Sequence, residues 1–308
     1  MKLIHAANEL RAGNRKVCVT IGVFDGVHLG HQEIIQQTIA NARRHDGLAL
    51  ITTFDQHPNA VVAPQRCPPL LYSLPQKLRT IATLEPDALL LIHFDHAFSQ
   101  QTGEQFVLSL ACDVGQIQCV CIGAGFTFGH KRSGNIQLLE KLGAELGFSV
   151  LTVPAVSQNG KAISSTRVRE AVQAGEFQLA SQLIGRPYAL AAIVGRGDQV
   201  GHKLGFPTAN LEVAGLVLPP TGVYTANTIA QGRTYRSVLN IGTRPTLHSS
   251  DPSLHVEVHL LDFNGDLYGQ ELEVVFGRKV RDEKKFPSVG ELKAQIARDI
   301  ETARAETK

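Results

Sequence analysis

The chain has 308 residues, 43% of them hydrophobic and 19% charged, and its formal net charge is +2. This length favours two domains, and this composition excludes the disordered and fibrous classes. The near-neutral charge, without a long Lys/Arg run, argues against a nucleic-acid partner.

The first ten residues contain His, Asn and Glu where a signal peptide would be apolar, and no stretch is long and apolar enough to span a bilayer. The five cysteines form no CxxC pair, which fits a reducing compartment and predicts packing roles for the thiols. We therefore expect a cytoplasmic protein with no membrane contact and no obligate protein partner.

The first part of the chain alternates apolar runs with helix-like segments. The apolar runs predict strands at 17–24, 48–54, 88–94, 118–122 and 148–153. Helical periodicity occupies 32–44, 75–84, 103–110 and 136–146, and two more helices are predicted after Ser164 and Glu176. Such alternation predicts a mainly parallel sheet with helices on both faces, an α/β domain spanning residues 1–185.

Beyond residue 186 the pattern becomes β-like, with predicted strands at 189–194, 222–229, 235–241, 254–261 and 271–276. Gln231-Gly232 and Asn264-Gly265 lie at hairpin spacing, which predicts an antiparallel sheet or small barrel over residues 186–308. Ser288 and Glu291 have the spacing of a capping box, so a C-terminal helix should begin there and pack on the sheet.

The turn after the first buried run, from Gly22 to His31, is rich in glycine and carries two imidazoles. In an open α/β sheet ligands bind beyond the carboxyl ends of the strands, and a helix N-terminus offers free N–H groups to phosphate. Two imidazoles at such a turn can hydrogen-bond to a triphosphate. From spacing alone, a helix cap or a chance zinc pair explains His28 and His31 equally well.

The segment Val27-His28-Leu29-Gly30-His31 resembles the HxGH signature of the nucleotidylyltransferase superfamily, and Phe24-Asp25-Gly26-Val27-His28 resembles the form found in bacterial FAD synthetases. Residues 163–167 resemble the first part of the ISSTxxR segment of the same enzymes. The resemblance implies a Rossmann-like domain in which His28 and His31 are catalytic. It implies nucleotide or phosphate contacts for Gly22, Phe24, Gly30, Ser164, Ser165, Thr166 and Arg167. Without the resemblance, ordinary N-capping would explain the hydroxyl residues.

The loop from Gly123 to Gly129 has GxGxxxG spacing, which is a weak match to a dinucleotide-binding turn. It resembles the flavin-side loop of FAD synthetases, GxDFxFG or GxNFxFG, which implies flavin contacts for Phe126 and Phe128. Gly125 stands where that family has Asp or Asn, so this chain lacks one side chain of the family's flavin-side loop. An aromatic pair of this kind is otherwise typical of a core.

Gly205-Phe-Pro-Thr-Ala-Asn210 combines flexible backbone with a hydroxyl and an amide, which are oxygen ligands of the kind that Mg²⁺ accepts. Composition alone would favour a surface turn. However, GFPTANL is typical of riboflavin kinases, and residues 218–224 and 240–246 resemble further segments of that family. The resemblance implies ATP contacts for Gly201, Lys203, Gly205 and Pro207, magnesium contacts for Thr208 and Asn210, and a flavin contact for Arg281. His202 and Ala192 depart from the residues common in the family.

Strand periodicity places His255, Glu257 and His259 on one face of a strand. An extended strand spreads i, i+2 and i+4 side chains too far apart for one metal ion, so a metal triad is not expected. Similarity to riboflavin kinases implies that Glu257 is the general base; otherwise it is a carboxylate on the polar face of a strand.

Together the resemblances identify the chain as a member of the bacterial bifunctional riboflavin kinase/FMN adenylyltransferase family, with Mg²⁺ and ATP and with riboflavin, FMN and FAD as ligands. They imply a nucleotidylyltransferase domain of the HxGH superfamily, followed by a mainly antiparallel β-barrel kinase domain with a C-terminal helix. Two alternatives stay open: transfer of a nucleotidyl group to another phosphate acceptor, and a flavin-binding protein that has lost one activity.

Overall fold

The computed structural model describes residues 1–197, 201, 204–244 and 253–305. Contacts between residues divide the chain into two compact units. The first comprises 1–70 and 74–165, and the second comprises 71–73 and 166–308. The predicted domain boundary at 185/186 stays a prediction, because the division by contacts assigns the helices after Ser165 to the second unit.

The first unit contains a six-stranded sheet in which every neighbouring pair is parallel. Its strands are β1 Lys2–Ile4, β2 Val17–Ile21, β3 Leu48–Phe54, β4 Ala88–Ile92, β5 Ile117–Gly123 and β6 Ser149–Val153. Their order across the sheet is β1-β4-β3-β2-β5-β6, which confirms the predicted α/β architecture. The chain winds outward from β2 in both directions, so the end of β2 is the switch point where ligands bind in such folds.

Helices follow the strands as the alternation predicted. They are α1 Leu29–Arg44, α2 Pro58–Val62, α3 Leu74–Ala82, α4 His96–Ser99, α5 Gly103–Val114 and α6 Ile136–Leu146. A short hairpin, β7 Ser157–Gln158 and β8 Lys161–Ala162, precedes α7 Ser165–Gln173 and α8 Phe177–Ile184. At the start of α5, Thr102 Oγ1 accepts from the Gln105 N–H at 3.2 Å, half of a reciprocal capping box.

The central strands are hydrophobic because both of their faces are covered. All five residues of β2 are buried. On one face they pack with residues such as Leu50, Leu90 and Leu142, and on the other Cys18, Cys119 and Cys121 pack with Ala42 and Ala49. A packing role is therefore confirmed for these three thiols, whereas Cys112 is exposed and the packing prediction for it was wrong.

The second unit contains a closed barrel of six strands, in which every neighbouring pair is antiparallel. The strands are β9 Ala189–Gly195, β10 Ala209–Leu211, β11 Gly222–Ala230, β12 Arg233–Arg244, β13 Ser253–Leu260 and β14 Glu271–Arg281. Their order around the barrel is β10-β13-β12-β11-β14-β9. A final helix, α9 Val289–Ala305, begins where Ser288 Oγ accepts from the Glu291 N–H at 3.2 Å.

One predicted hairpin is confirmed and the other was wrong. Gln231 and Gly232 join β11 to its neighbour β12, with φ of 50° and 74° at the two turn residues. Asn264 and Gly265 join β13 to β14, but β14 pairs with β11 and β9 instead. Barrel closure overrides the local turn signal, because it gives both edges of β14 other partners.

Within the described residues, no helix has the length and apolar character needed to cross a membrane.

Candidate active sites

The segment between β2 and α1 is a tight turn with unusual backbone angles. Phe24, Gly26 and Val27 have φ of 51°, 76° and 38°, all in the left-handed region. Such angles cost energy for Phe and for β-branched Val, and they persist only where the surroundings enforce them. The turn ends at His28, which is the N-cap of α1 and lies at the carboxyl edge of the sheet.

The two predicted catalytic imidazoles lie together. The rings of His28 and His31 stack with centroids 3.6 Å apart and an angle of 20° between their planes. His28 Nδ1 accepts from the His31 N–H at 3.3 Å, and the ring of Phe24 meets His31 edge-on at 5.2 Å. His28 is buried and His31 is half-buried. The structure therefore places both rings at the N-terminus of α1, where N–H groups and the helix dipole favour an anion.

Two predicted glycines make room for these rings. A Cβ on Gly22 would come within 2.7 Å of the ring of Phe24, and a Cβ on Gly30 would lie 3.2 Å from His28 Cε1. Both distances are shorter than an ordinary carbon–carbon contact. We predicted these glycines as nucleotide contacts, and the structure adds a packing role beside Phe24 and His28.

The hydroxyl segment begins α7. Ser165 Oγ donates to the carbonyl oxygen of Asp25 at 3.0 Å, so it ties the helix start to the turn before His28. Ser164 is half-buried and directly precedes it. Thr166 and Arg167 follow in the second contact unit, and their phosphate role stays a prediction.

Sequence reasoning missed Lys77, because a lysine on a predicted amphipathic helix is normally solvated. Its side chain is buried, and its Nζ donates to the carbonyl oxygens of Val23 at 3.3 Å and Phe54 at 2.7 Å and to Thr53 Oγ1 at 3.3 Å. Burial lowers the pKa of Lys77 to about 8, and the neighbouring carboxylate of Asp25 partly offsets that effect.

The predicted flavin-side residues Phe126 and Phe128 stack on each other at 5.3 Å, and both pack against the core of the first unit. Phe128 also lies close to Gly134, where an added Cβ would approach its ring to 2.6 Å. Gly125 is exposed, and a Cβ there would meet nothing within 4 Å. The backbone therefore has room for the Asp or Asn of the family loop, although this chain lacks that side chain.

In the barrel, Glu257 occupies the middle of a row of polar residues. Its cross-strand partners are Asn210 on β10 and Asn240 on β12. Directly opposed residues in antiparallel strands project to the same face, so these three side chains are neighbours. Val256 and Val258 are buried while Glu257 is half-buried, which confirms the predicted alternation along β13.

The segment before β10 lies beside this row. His259 Nδ1 is 2.7 Å from the carbonyl oxygen of Pro207, and the Phe206 N–H donates to the Gly201 carbonyl at 2.9 Å. A Cβ on Gly201 would lie 2.8 Å from Thr208 Oγ1. Gly205 has a φ of 87°, which suits glycine. Lys203 and His202 lie outside the described residues.

A cavity of about 390 Å³ opens next to the predicted magnesium ligands. Its lining comprises Val194, Pro207, Thr208, Ala209, Asn210, Val258, Leu260 and residues 263–268. Residues 263–268, which include Phe263, Asp266 and Tyr268, were missed because we interpreted Asn264-Gly265 as a hairpin turn. Asn210 both lines the cavity and pairs with Glu257.

Arg281, a predicted flavin contact, holds Asp299 of α9. Its Nη2 and Nε donate to the Asp299 carboxylate at 2.9 and 3.1 Å, and its guanidinium lies 5.6 Å from the ring centre of Phe286. Asp299 is nearly fully buried. The guanidinium therefore joins the end of β14 to the C-terminal helix, and its flavin role stays a prediction.

Comparison with known proteins finds two family matches, one in each half of the chain, in the order predicted from the sequence. The FAD synthetase family model matches residues 10–167, and the riboflavin kinase family model matches residues 184–307. The bifunctional riboflavin kinase/FMN adenylyltransferase of Escherichia coli K12 is 39% identical over 306 residues, covering 99% of this chain and 97% of that protein. That of Pseudomonas fluorescens is 36% identical over 305 residues, with coverage of 99% and 97%. The crystal structure of a macrolide-efflux protein from Streptococcus pneumoniae superposes with a TM-score of 0.81 at 28% identity, covering both chains fully.

Proposed function

Because the chain belongs to the bifunctional riboflavin kinase/FMN adenylyltransferase family, we propose that it phosphorylates riboflavin at Glu257 and adenylylates the resulting FMN at the His28–His31 turn. We assign FMN adenylylation to residues 1–185 and riboflavin phosphorylation to residues 186–308. The observation that carries the proposal is the stacked imidazole pair at the switch point of the sheet, in a chain that also has the Asn210–Glu257–Asn240 row in its barrel.

In the adenylylation step, a phosphate oxygen of FMN attacks the α-phosphorus of ATP, the bond to the β-phosphate oxygen breaks, and diphosphate leaves. Negative charge grows on the phosphate oxygens as this bond breaks. The ring N–H groups of His28 and His31 and the first N–H groups of α1 donate hydrogen bonds to those oxygens. Ser164, Thr166 and Arg167 add donors at the start of α7, and Ser165, whose hydroxyl donates to Asp25, adds its backbone N–H. Phe126 and Phe128 offer flat apolar surface to the isoalloxazine ring.

In the kinase step, the 5′-hydroxyl oxygen of riboflavin attacks the γ-phosphorus of ATP and ADP leaves. Glu257 accepts the hydroxyl proton as the new bond forms. Asn210 and Asn240, one on each side of Glu257, orient the carboxylate and the reacting groups. The cavity beside Thr208 receives the nucleotide, with Gly201, Gly205 and Pro207 along the phosphates, and the phosphate contact implied for Lys203 stays a prediction.

The donor set beside the cavity fits magnesium. Thr208 and Asn210 offer a hydroxyl and an amide oxygen, the hard ligands that Mg²⁺ accepts, and Mg²⁺ on a nucleotide needs only one or two protein ligands. No set of three His, Cys, Asp or Glu side chains in the described parts of the chain is placed to hold a metal ion. Mg²⁺ would take its remaining ligands from water and the nucleotide phosphates. When bound, the ion would neutralise negative charge on the phosphates.

The experiment is turnover of the purified chain with riboflavin, ATP and Mg²⁺, with riboflavin, FMN and FAD separated by chromatography over time. FMN that appears first and then converts to FAD is the expected result. FMN alone would refute the adenylylation assignment. The absence of both products would favour the flavin-binding alternative.

Two variants separate the sites, and each serves as the control for the other. Glu257→Ala should abolish FMN formation and leave FAD formation from supplied FMN unchanged. His31→Ala should do the reverse, and His45→Ala, an exposed histidine just after α1, should leave both reactions unchanged. Loss of both activities in either of the first two variants would contradict separate sites.

A further inference from the structure

The buried ammonium of Lys77 connects three elements of the first unit. It projects from α3 to the carbonyl oxygen of Val23, which follows β2, and to Phe54 and Thr53 at the end of β3. An ammonium has three N–H donors, and here three acceptors surround it. Thr53 Oγ1 donates to the same Val23 carbonyl at 3.1 Å, so this oxygen is held by two side chains.

Val23 is the last residue before the left-handed turn. Phe24, with φ of 51°, follows it directly, and the ring of Phe24 contacts that of His31. The turn is also fixed at Asp25, whose carbonyl oxygen accepts from Ser165. Strained backbone of this kind persists only where its surroundings hold it, and the contacts at Val23 and Asp25 hold the residues on either side of Phe24.

We propose that Lys77 is a positioning residue for the adenylylation reaction, holding the turn at Val23 so that His28 and His31 stay stacked in the orientation that receives the phosphates. The inference rests on the proposed function of these histidines. Lys77 acts through the backbone and does not touch the substrate.

The charge of Lys77 is set by a small group of neighbours. Burial has the largest effect and lowers the pKa, while Asp25, in the turn, and Asp55, just after β3, raise it and favour the ammonium form. With a pKa of about 8, the side chain is mainly an ammonium at pH 7 and loses one of its three donors as the pH rises above 8. The hydrogen bonds that hold the turn therefore weaken with increasing pH.

The test compares Lys77→Met with the native chain in FAD formation from supplied FMN and in FMN formation from riboflavin. We expect the kcat for FAD formation to fall at least tenfold, with KM for ATP and FMN within threefold of the native values. The kinase rate should stay unchanged and report that the barrel is folded, and an unchanged far-UV circular dichroism spectrum should report that the first unit is folded. Lys141→Met is the matched control, because Lys141 is an exposed lysine of α6, and it should change neither rate.

A second readout uses pH. The native kcat for FAD formation should fall relative to the kinase rate as the pH rises from 7.5 to 9, and this fall should be absent from the residual activity of Lys77→Met. If Lys77→Met does not accumulate as folded protein, Thr53→Val carries the test, with an expected loss of at least threefold in kcat for FAD formation.

A kcat within twofold of the native value in Lys77→Met, or in Thr53→Val where that variant replaces it, overturns the inference. An increase in KM at constant kcat also overturns it, since that result means a loss of substrate affinity. A native chain that forms no FAD overturns both this inference and the proposed adenylylation. A native chain that forms FAD, with an unaffected Lys77→Met, overturns the inference alone.

Discussion

Replacing Gly30 by Ala should raise the stability of the chain slightly and lower its rate of FAD formation. Gly30 is the second residue of α1 and has no positive φ, so alanine fits its backbone. Alanine in a helix is favoured over glycine by up to about 1 kcal/mol, and near the end of a helix we expect about 0.5 kcal/mol. The variant should therefore be slightly more stable than the native chain.

Its adenylylation activity should fall. The new Cβ would lie 3.2 Å from His28 Cε1 and 3.3 Å from its Nδ1, whereas an ordinary contact is about 3.6 Å. The imidazole must move by roughly 0.4 Å, and a displacement of about 1 Å at a catalytic group can cost about 100-fold in rate. We expect a loss of roughly five- to tenfold in kcat for FAD formation.

The assay is urea unfolding together with steady-state rates of both reactions. Gly290→Ala is the control, because Gly290 is the second residue of α9 and a Cβ there would meet only Ser288 Oγ at 3.9 Å. That variant should gain similar stability and keep both rates. An unchanged rate of FAD formation in Gly30→Ala would refute the packing role of Gly30 beside His28.

Three further results are expected. Arg281→Met should lower the free energy of unfolding, measured in urea, by about 3 kcal/mol, because it leaves the nearly buried carboxylate of Asp299 without its cation. A loss below about 1 kcal/mol would mean that water solvates the ion pair well. Gly125→Asn should change stability by less than about 0.5 kcal/mol, since nothing lies within 4 Å of the added Cβ, and should lower KM for FMN in FAD formation; an unchanged KM would mean that the family contact has no counterpart here. Burial lowers the pKa of Lys77 from 10.5 to about 8, so the folded chain binds fewer protons than the unfolded chain between these pH values. The free energy of unfolding of the native chain should therefore rise with pH in this window, by up to about 3 kcal/mol relative to that of Lys77→Met. Urea unfolding of both proteins from pH 7 to 10.5 measures this difference. A difference that does not change with pH would contradict the burial of the charge.

Local patterns predicted most of the elements. The strand at 48–54 and the helix at 136–146 have the predicted bounds, and other elements differ by a few residues at their ends. Strand β1 was missed because three residues carry too little periodicity. Strand β10 was missed because Gly205–Asn210 has the composition of a turn, although Asn210 is held in register by strands on both sides.

The amino-acid sequence by itself determined the fold class of each part, the His28–His31 pair and the polar face that carries Glu257, because these depend on residue type and short-range spacing. Only the tertiary structure decided which distant residues meet. In the closed barrel, Asn210 and Asn240 are the cross-strand partners of Glu257. Residues 263–268 line the cavity. Packing of α3 brought the ammonium of Lys77 to the turn before His28. Such contacts join residues far apart in the chain, and their energies come from burial and hydrogen bonding that no local pattern encodes.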